Sequence, residues 1–194
     1  KEVQIMEDPI ISQEWITSLE QFHLPRWEEL PDFEIYMDQL ITIVSQYVAI
    51  FQDKEGSMIT ASMINNYVKA KIMPRPLKKK YNKVHIAYAL AITILKEVLT
   101  ISEIRDGIEI QSERSGLKGA YHIFCDELEL ATSTVAKALK SGTLPFEELV
   151  IASDKMAMKL CTFSLISKLI TRKMVAKSMQ LKRLGEQGCA DSIE

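Results

Sequence analysis

Glycine and proline are scarce in this 194-residue chain, at 7 and 6 residues. That scarcity argues against a sandwich or barrel, which would need a tight turn every few residues. Cysteine is scarcer still. Cys125, Cys161 and Cys189 are too few and too scattered for a disulfide framework, and an odd count with no leader-like segment fits a reducing cytoplasm. The longest uncharged apolar stretches, Ile41–Gln52 and Val84–Leu95, are 12 residues each, whereas crossing a bilayer takes about 20. Both therefore read as core helices, and no membrane partner is expected.

Chemistry-bearing motifs are missing too. His23, His85 and His122 are widely separated, so no Cys/His spacing matches a metal site. No GxGxxG or GxxxxGK run is present to cradle a phosphate. His122 and Cys125 stand three apart on an expected helix, but no third group orients them, and a buried free thiol is the plainer reading. No cofactor and no enzymatic activity are expected.

The most informative absence is of acid. Residues 56–96 contain no Asp or Glu, and eight cations (Lys69, Lys71, Arg75, Lys78, Lys79, Lys80, Lys83, Lys96) give the segment a charge of +8. Residues 1–55 carry −9 and residues 97–194 carry −1, so the net −2 conceals a sharp division. A local block of one sign attracts a polyanion even when the whole chain is slightly acidic.

What is present is helix-forming: 47% hydrophobic residues with abundant Leu, Ile, Ala, Glu and Lys. A short amphipathic helix is expected over 9–21, with Ile11, Trp15, Ile16 and Leu19 inward. After Pro25 and Pro31, Asp32 is a plausible cap for a long helix reaching Phe51, packed through Leu40, Ile43, Val44 and Tyr47. A helix over 60–70 follows, ended by Pro74 and Pro76, then a basic connection and a helix over 83–99. Thr100 and Glu103 form a capping-box pattern that opens another helix to about Glu113. Further helices are expected over 120–139 and 145–184. The last has an apolar seam of Leu149, Met156, Leu160, Phe163, Ile170 and Met174, widened by Cys161, Leu165, Ile166 and Leu169.

On a helical wheel of Thr60–Lys71, Ala61, Ile64, Tyr67 and Val68 fall together and should face the core. Ser62, Asn65, Asn66 and Lys69 fall opposite, forming a short polar face with no acid. Asn reads adenine edges, and Ser and Lys contact bases or phosphates, so these four are the base-edge candidates. Lys71, Arg75, Lys78, Lys79, Lys80 and Lys83 flank them and are the phosphate candidates.

These residues carry a resemblance. MINNYVKAKIMPRP, KKKYNKVHI and ILKEVLTISEI together resemble the DNA-binding region of MerR-type regulators: a recognition helix, an apolar pair before proline, a basic wing and a final capped helix. On that likeness Tyr67 takes the place of the helix tyrosine, and Ile72, Met73 and Pro74 form the apolar-apolar-proline step. Lys79 stands for the wing arginine, Tyr81 for the wing tyrosine, and Lys71 replaces the glycine that usually closes the helix. The stretch over 24–113 also resembles the bacterial domain-of-unknown-function family 1836. The resemblance implies an all-α, MerR-like helix-turn-helix with a short basic wing, embedded in a multi-helix domain with a long C-terminal helix. It implies an N-terminal extension over 1–23, the helix-turn-helix domain over 24–113, a C-terminal helical region over 114–184 and a tail over 185–194. Function is then expected to be DNA-binding transcriptional regulation, with double-stranded DNA as partner and a homodimer through the C-terminal helices. The alternative is a protein-interaction module on the same scaffold, its basic wing docked on an acidic partner or on the chain's own acidic first third.

Overall fold

The computed structural model describes residues 11–52, 57–143 and 155–190, the last seven as backbone alone. Among the described residues there are six α-helices, one 3-10 turn and no strands beyond two isolated bridges. The helices are α1 (Gln13–Glu20), α2 (Met37–Val48), α3 (Ala61–Lys69), α4 (Lys83–Leu95), α5 (Ile101–Ser141) and α6 (Met156–Ala190). The 3-10 turn, Ala49–Phe51, continues α2.

The centre of the fold is α4. No charge falls between Lys83 and Lys96, and nine of the helix's residues are buried, on all sides. A helix that is apolar all round must be enclosed, and α2, α5 and α6 pack around it. Its end comes earlier than the expected Leu99: the chain leaves the helix after Leu95 and turns into Thr100. Thr100 then opens α5 with the expected capping box, accepting from the Glu103 N–H at 3.3 Å while the Glu103 carboxylate accepts the Thr100 N–H at 2.7 Å.

The two helices expected over 101–113 and 120–139 abut. Gly116, with φ 69° and ψ 163°, breaks the α5 backbone into two limbs. That region of φ/ψ is open essentially to glycine alone. Gly142 ends α5 in a left-handed conformation at φ 73°, as helix ends favour.

The helix expected from Asp32 begins instead at Met37, with Tyr36 as the extended N-cap residue and the Gln39 side chain taking the Tyr36 N–H at 2.9 Å. The preceding residues are extended because Ile35 and Tyr81 exchange both backbone hydrogen bonds, each 2.8 Å. A pairing across 46 positions in sequence overrode a local capping signal.

One hydrophobic cluster runs from Ile11 to Ile170 and takes in α1 through α6. The turn at Leu24–Glu29 is pinned to the second limb of α5: Arg26 pairs with Glu129 at 2.7 Å and Asp126 at 3.1 Å, and the Tyr121 hydroxyl donates to the Pro25 carbonyl at 2.8 Å. On α6 the buried stripe is Thr162, Leu165, Ile166, Leu169 and Ile170, while Met156, Leu160 and Met174 of the expected seam are exposed. Leu149 and the expected start of that helix lie outside the described residues, as do residues 191–194 of the expected tail; the α6 backbone runs helical to Ala190.

Candidate nucleic-acid interface

Helix α3 is capped by Thr60, whose hydroxyl accepts the Met63 N–H at 3.3 Å. Its first turn carries no acid, so the partial positive charge of the helix N-terminus is not neutralised locally. Ile64 and Tyr67 are buried, with Met63 and Val68 half-buried beside them. Ala61, expected inward, is exposed at the edge of the helix. Ser62, Asn65, Asn66 and Lys69 are all exposed and share an arc of about 100° at 3.6 residues per turn.

Lys71 closes α3. It holds φ 58°, and the Ile72 N–H bonds back to the Tyr67 carbonyl at 3.1 Å while the Lys71 N–H reaches Val68 at 3.1 Å. This is a Schellman closure with lysine in the position that favours glycine. Ile72 and Met73 then turn inward and are buried, which leaves Lys71, Pro74 and Arg75 facing solvent.

The wing is a two-residue turn. Leu77 and Lys80 form a bridge, with the Lys80 N–H on the Leu77 carbonyl at 2.9 Å. Lys78 and Lys79 between them both adopt positive φ, 49° and 63°. Positive φ at both central positions belongs to the hairpin turn that Asn-Gly makes best; here two lysines occupy it at a conformational cost. The turn is anchored behind by the Ile35–Tyr81 pairing and by the Tyr81 ring, set edge-on to His85 at 5.3 Å. His85 Nδ1 accepts the Asn82 N–H at 3.1 Å, completing the cap of α4. Burial pushes the His85 pKa below its ordinary value despite the nearby Arg75 and Pro74 backbone.

The eight cations of the basic block divide into three groups. Lys96 turns inward, where its ammonium donates to the Met58 carbonyl that precedes α3, and burial lowers its pKa. Lys80 and Lys83 are tied to the acidic first third, pairing with Glu34 and Asp32, each at 2.9 Å. The Glu34 carboxylate holds the Lys80 pKa above its ordinary value. Lys69, Lys71, Arg75, Lys78 and Lys79 have no acidic partner among the described residues. The surface thus offers a polar strip on α3 followed directly in sequence by four further free cations.

Three exposed apolar side chains near the wing were not singled out from the sequence: Phe33 at 64%, Tyr36 at 58% and Leu77 at 71% exposure. The Ile35–Tyr81 pairing holds the segment that carries the first two against the end of the wing, and no local pattern could have announced it.

The His122–Cys125 pair does not assemble. His122 Nε2 accepts the Trp27 N–H at 3.3 Å and faces Glu28 at 3.2 Å. Cys125 is buried, and desolvation pushes its thiol up to about 12, so it stays protonated. Among the described residues no group of three His, Cys, Asp or Glu side chains is placed to hold a metal, and no helix is long and apolar enough to cross a membrane.

No curated protein and no solved structure matches the chain. A family model does: the domain of unknown function DUF1836 matches residues 25–124, about half of the chain and all of the surface just described.

Proposed function

The chain belongs to the DUF1836 family, and from that premise we propose that it is a DNA-binding transcriptional regulator whose winged, MerR-like helix-turn-helix is built from α2, α3 and the wing. Ser62, Asn65, Asn66 and Lys69 would read base edges, and Lys71, Arg75, Lys78 and Lys79 would hold phosphates. The observation that carries this reading is the pair of lysines at positive φ in the wing, together with Lys71 at the end of α3. Non-glycine residues at such positions cost of order 1–3 kcal/mol each and persist where the surrounding structure enforces them, most often at functional sites. Three strained residues, all lysine, beside an exposed acid-free strip form a surface fit for a polyanion. An α-helix is about 10–12 Å across with its side chains, so α3 suits the major groove, about 12 Å wide.

Lys80 and Lys83 take a different role: they fasten the wing to Glu34 and Asp32 and are only partly available to phosphate. A homodimer through α6 fits the same proposal, since Met174, Val175 and Met179 are exposed at 40%, 57% and 47% beyond Ile170, the last buried one among the described side chains of the helix.

The test is duplex binding across a salt series with Lys78, Lys79 and Lys80 changed to Glu. The four phosphate-holding cations predict a slope of about −3.6 for the wild-type protomer and a shallower slope with weaker binding for the variant; unchanged affinity and slope would sink the assignment. A protein-interaction module, neither regulator nor enzyme, is the second reading. It is favoured by the exposed Phe33, Tyr36 and Leu77, and it predicts that Phe33→Ser with Leu77→Ser abolishes partner binding while leaving any DNA slope intact.

A further inference from the structure

Away from the wing, the two limbs of α5 meet at Gly116 and enclose a cavity of about 260 Å³ together with α4 and the start of α6. Its wall is nearly all carbon: Ala91 and Leu95 from α4, Ile104 from the first limb, Leu117 and Phe124 from the second, and Cys161 from α6. Burial pushes the Cys161 thiol up to about 11, so it adds no charge. We propose that this elbow cavity is a binding site for a small, mainly apolar molecule carrying one anionic group, with the anion on Arg114.

Two features argue that the space is built rather than left over. Along the first limb, Glu103, Ile104, Gly107, Ile108, Gln111 and Arg114 recur at helical spacing on the side that lines the cavity. Gly107 occupies the middle of that stripe, where a Cβ would meet nothing within 4 Å. Glycine in a helix interior costs about 1 kcal/mol relative to alanine, and no positive φ requires it there. Its evident effect is to keep the cavity open. Gly116 supplies the other half, since its backbone conformation breaks α5 into the two limbs that both line the cavity.

The polar groups at the rim select the ligand. The Glu103 carboxylate is turned to the cap of α5, its Oε2 accepting from the Thr100 N–H and hydroxyl, both at 2.7 Å. The Gln111 amide donates to Ser115 at 3.3 Å, and the Tyr121 hydroxyl donates to Pro25. Arg114 lines the cavity and has no acidic partner among the described residues. A carboxylate on an apolar body answers both an apolar wall and an unpaired guanidinium. The volume lies just below the range for drug-sized ligands, so the body is short. This site does not depend on DNA being bound elsewhere.

A built-in reporter is available. Trp27 stacks edge-on against Tyr121 at 6.1 Å, and Tyr121 lines the cavity. In a Trp15→Phe background, the full chain without DNA is titrated with decanoate and separately with decanol, below their aggregation limits. Trp27 emission and calorimetry are both followed. Saturable one-to-one binding of decanoate is expected. Gly107→Leu should weaken it at least tenfold with a melting temperature no lower than that of the background, and Arg114→Gln should weaken decanoate at least fivefold while leaving decanol unchanged. Absence of saturable binding by calorimetry, or Gly107→Leu binding as the background does, overturns the site. Equal loss of decanoate and decanol in Arg114→Gln overturns the assignment of an anionic ligand.

Discussion

Replacing Lys78 with Asn and Lys79 with Gly separates what the wing costs the fold from what it contributes to binding. Both lysines hold positive φ, and relieving the strain gains roughly 1 kcal/mol at each position. Glycine gives back roughly 0.5–1 kcal/mol through the entropy of the unfolded chain, leaving a net stabilisation of about 1 kcal/mol. For a protein of this size that raises the melting temperature by about 2–4 °C. The same change removes two cations that have no acidic partner among the described residues. If each neutralises one phosphate, the slope of log affinity against log salt falls by about 1.8, and at 0.15 M salt each lost contact weakens binding about fivefold. Thermal melts and fluorescence anisotropy on a labelled duplex, between 0.05 and 0.3 M salt, read both effects. The two effects have opposite signs: a more stable protein that binds about 30-fold more weakly. A variant that is less stable refutes the strain argument. One that is more stable yet binds with the wild-type slope refutes the role of the wing.

Further outcomes follow from other parts of the structure. Asp32→Asn with Glu34→Gln frees Lys83 and Lys80 from their ion pairs, so duplex affinity should rise and the salt slope steepen; an unchanged slope would show that neither lysine reaches phosphate. Gly116→Ala places a Cβ in open space but at a backbone conformation that L residues avoid, so a loss of about 1–3 kcal/mol is expected in urea unfolding, whereas Gly107→Ala should gain about 1 kcal/mol. His85 is held neutral by burial, its folded pKa lying below its unfolded value of 6.5. The unfolded chain therefore binds the proton first, and this contribution to stability is full above about pH 6.5 and lost as pH falls from there toward the folded pKa. His85→Gln keeps a side-chain acceptor for the Asn82 N–H and should flatten the change in urea midpoint between pH 7.5 and pH 5. Met179→Glu with Val175→Glu on the exposed face of α6 should convert a dimer to a monomer in sedimentation, with little change in melting temperature.

Much of the helical order was legible because its signals are local. Thr100 caps α5 as its capping-box pattern requires, and the uncharged run from Val84 to Leu95 had to be a buried helix. The polar strip of Ser62, Asn65, Asn66 and Lys69 was likewise legible from a helical wheel. What the wheel could not supply is pairing across distance. Asp32 after Pro31 looks like a helix cap, yet the Ile35–Tyr81 pairing keeps the chain extended until Tyr36. A tally of charge counts eight cations in residues 56–96 but cannot tell that Lys80 and Lys83 meet Glu34 and Asp32 or that Lys96 points at Met58. The α6 seam failed for a related reason. Its apolar residues are spread over more than one face, and only packing against the rest of the fold selects Leu165, Ile166, Leu169 and Ile170 as the buried ones. A break between the helices expected to end near Glu113 and to begin at 120 was visible, while the cavity at the Gly116 elbow depends on where α4 and α6 come to lie.

Contact of α3 and the wing with DNA can be read residue by residue, from backbone amide chemical shifts of the labelled protein as a duplex is added at low salt and again at high salt. Changes are expected to concentrate at Ser62–Lys71 and Leu77–Lys80 and to fade as salt is raised, with the Gly107–Arg114 rim of the elbow cavity unmoved. Shifts that fall elsewhere, or none at any duplex concentration at low salt, would contradict it.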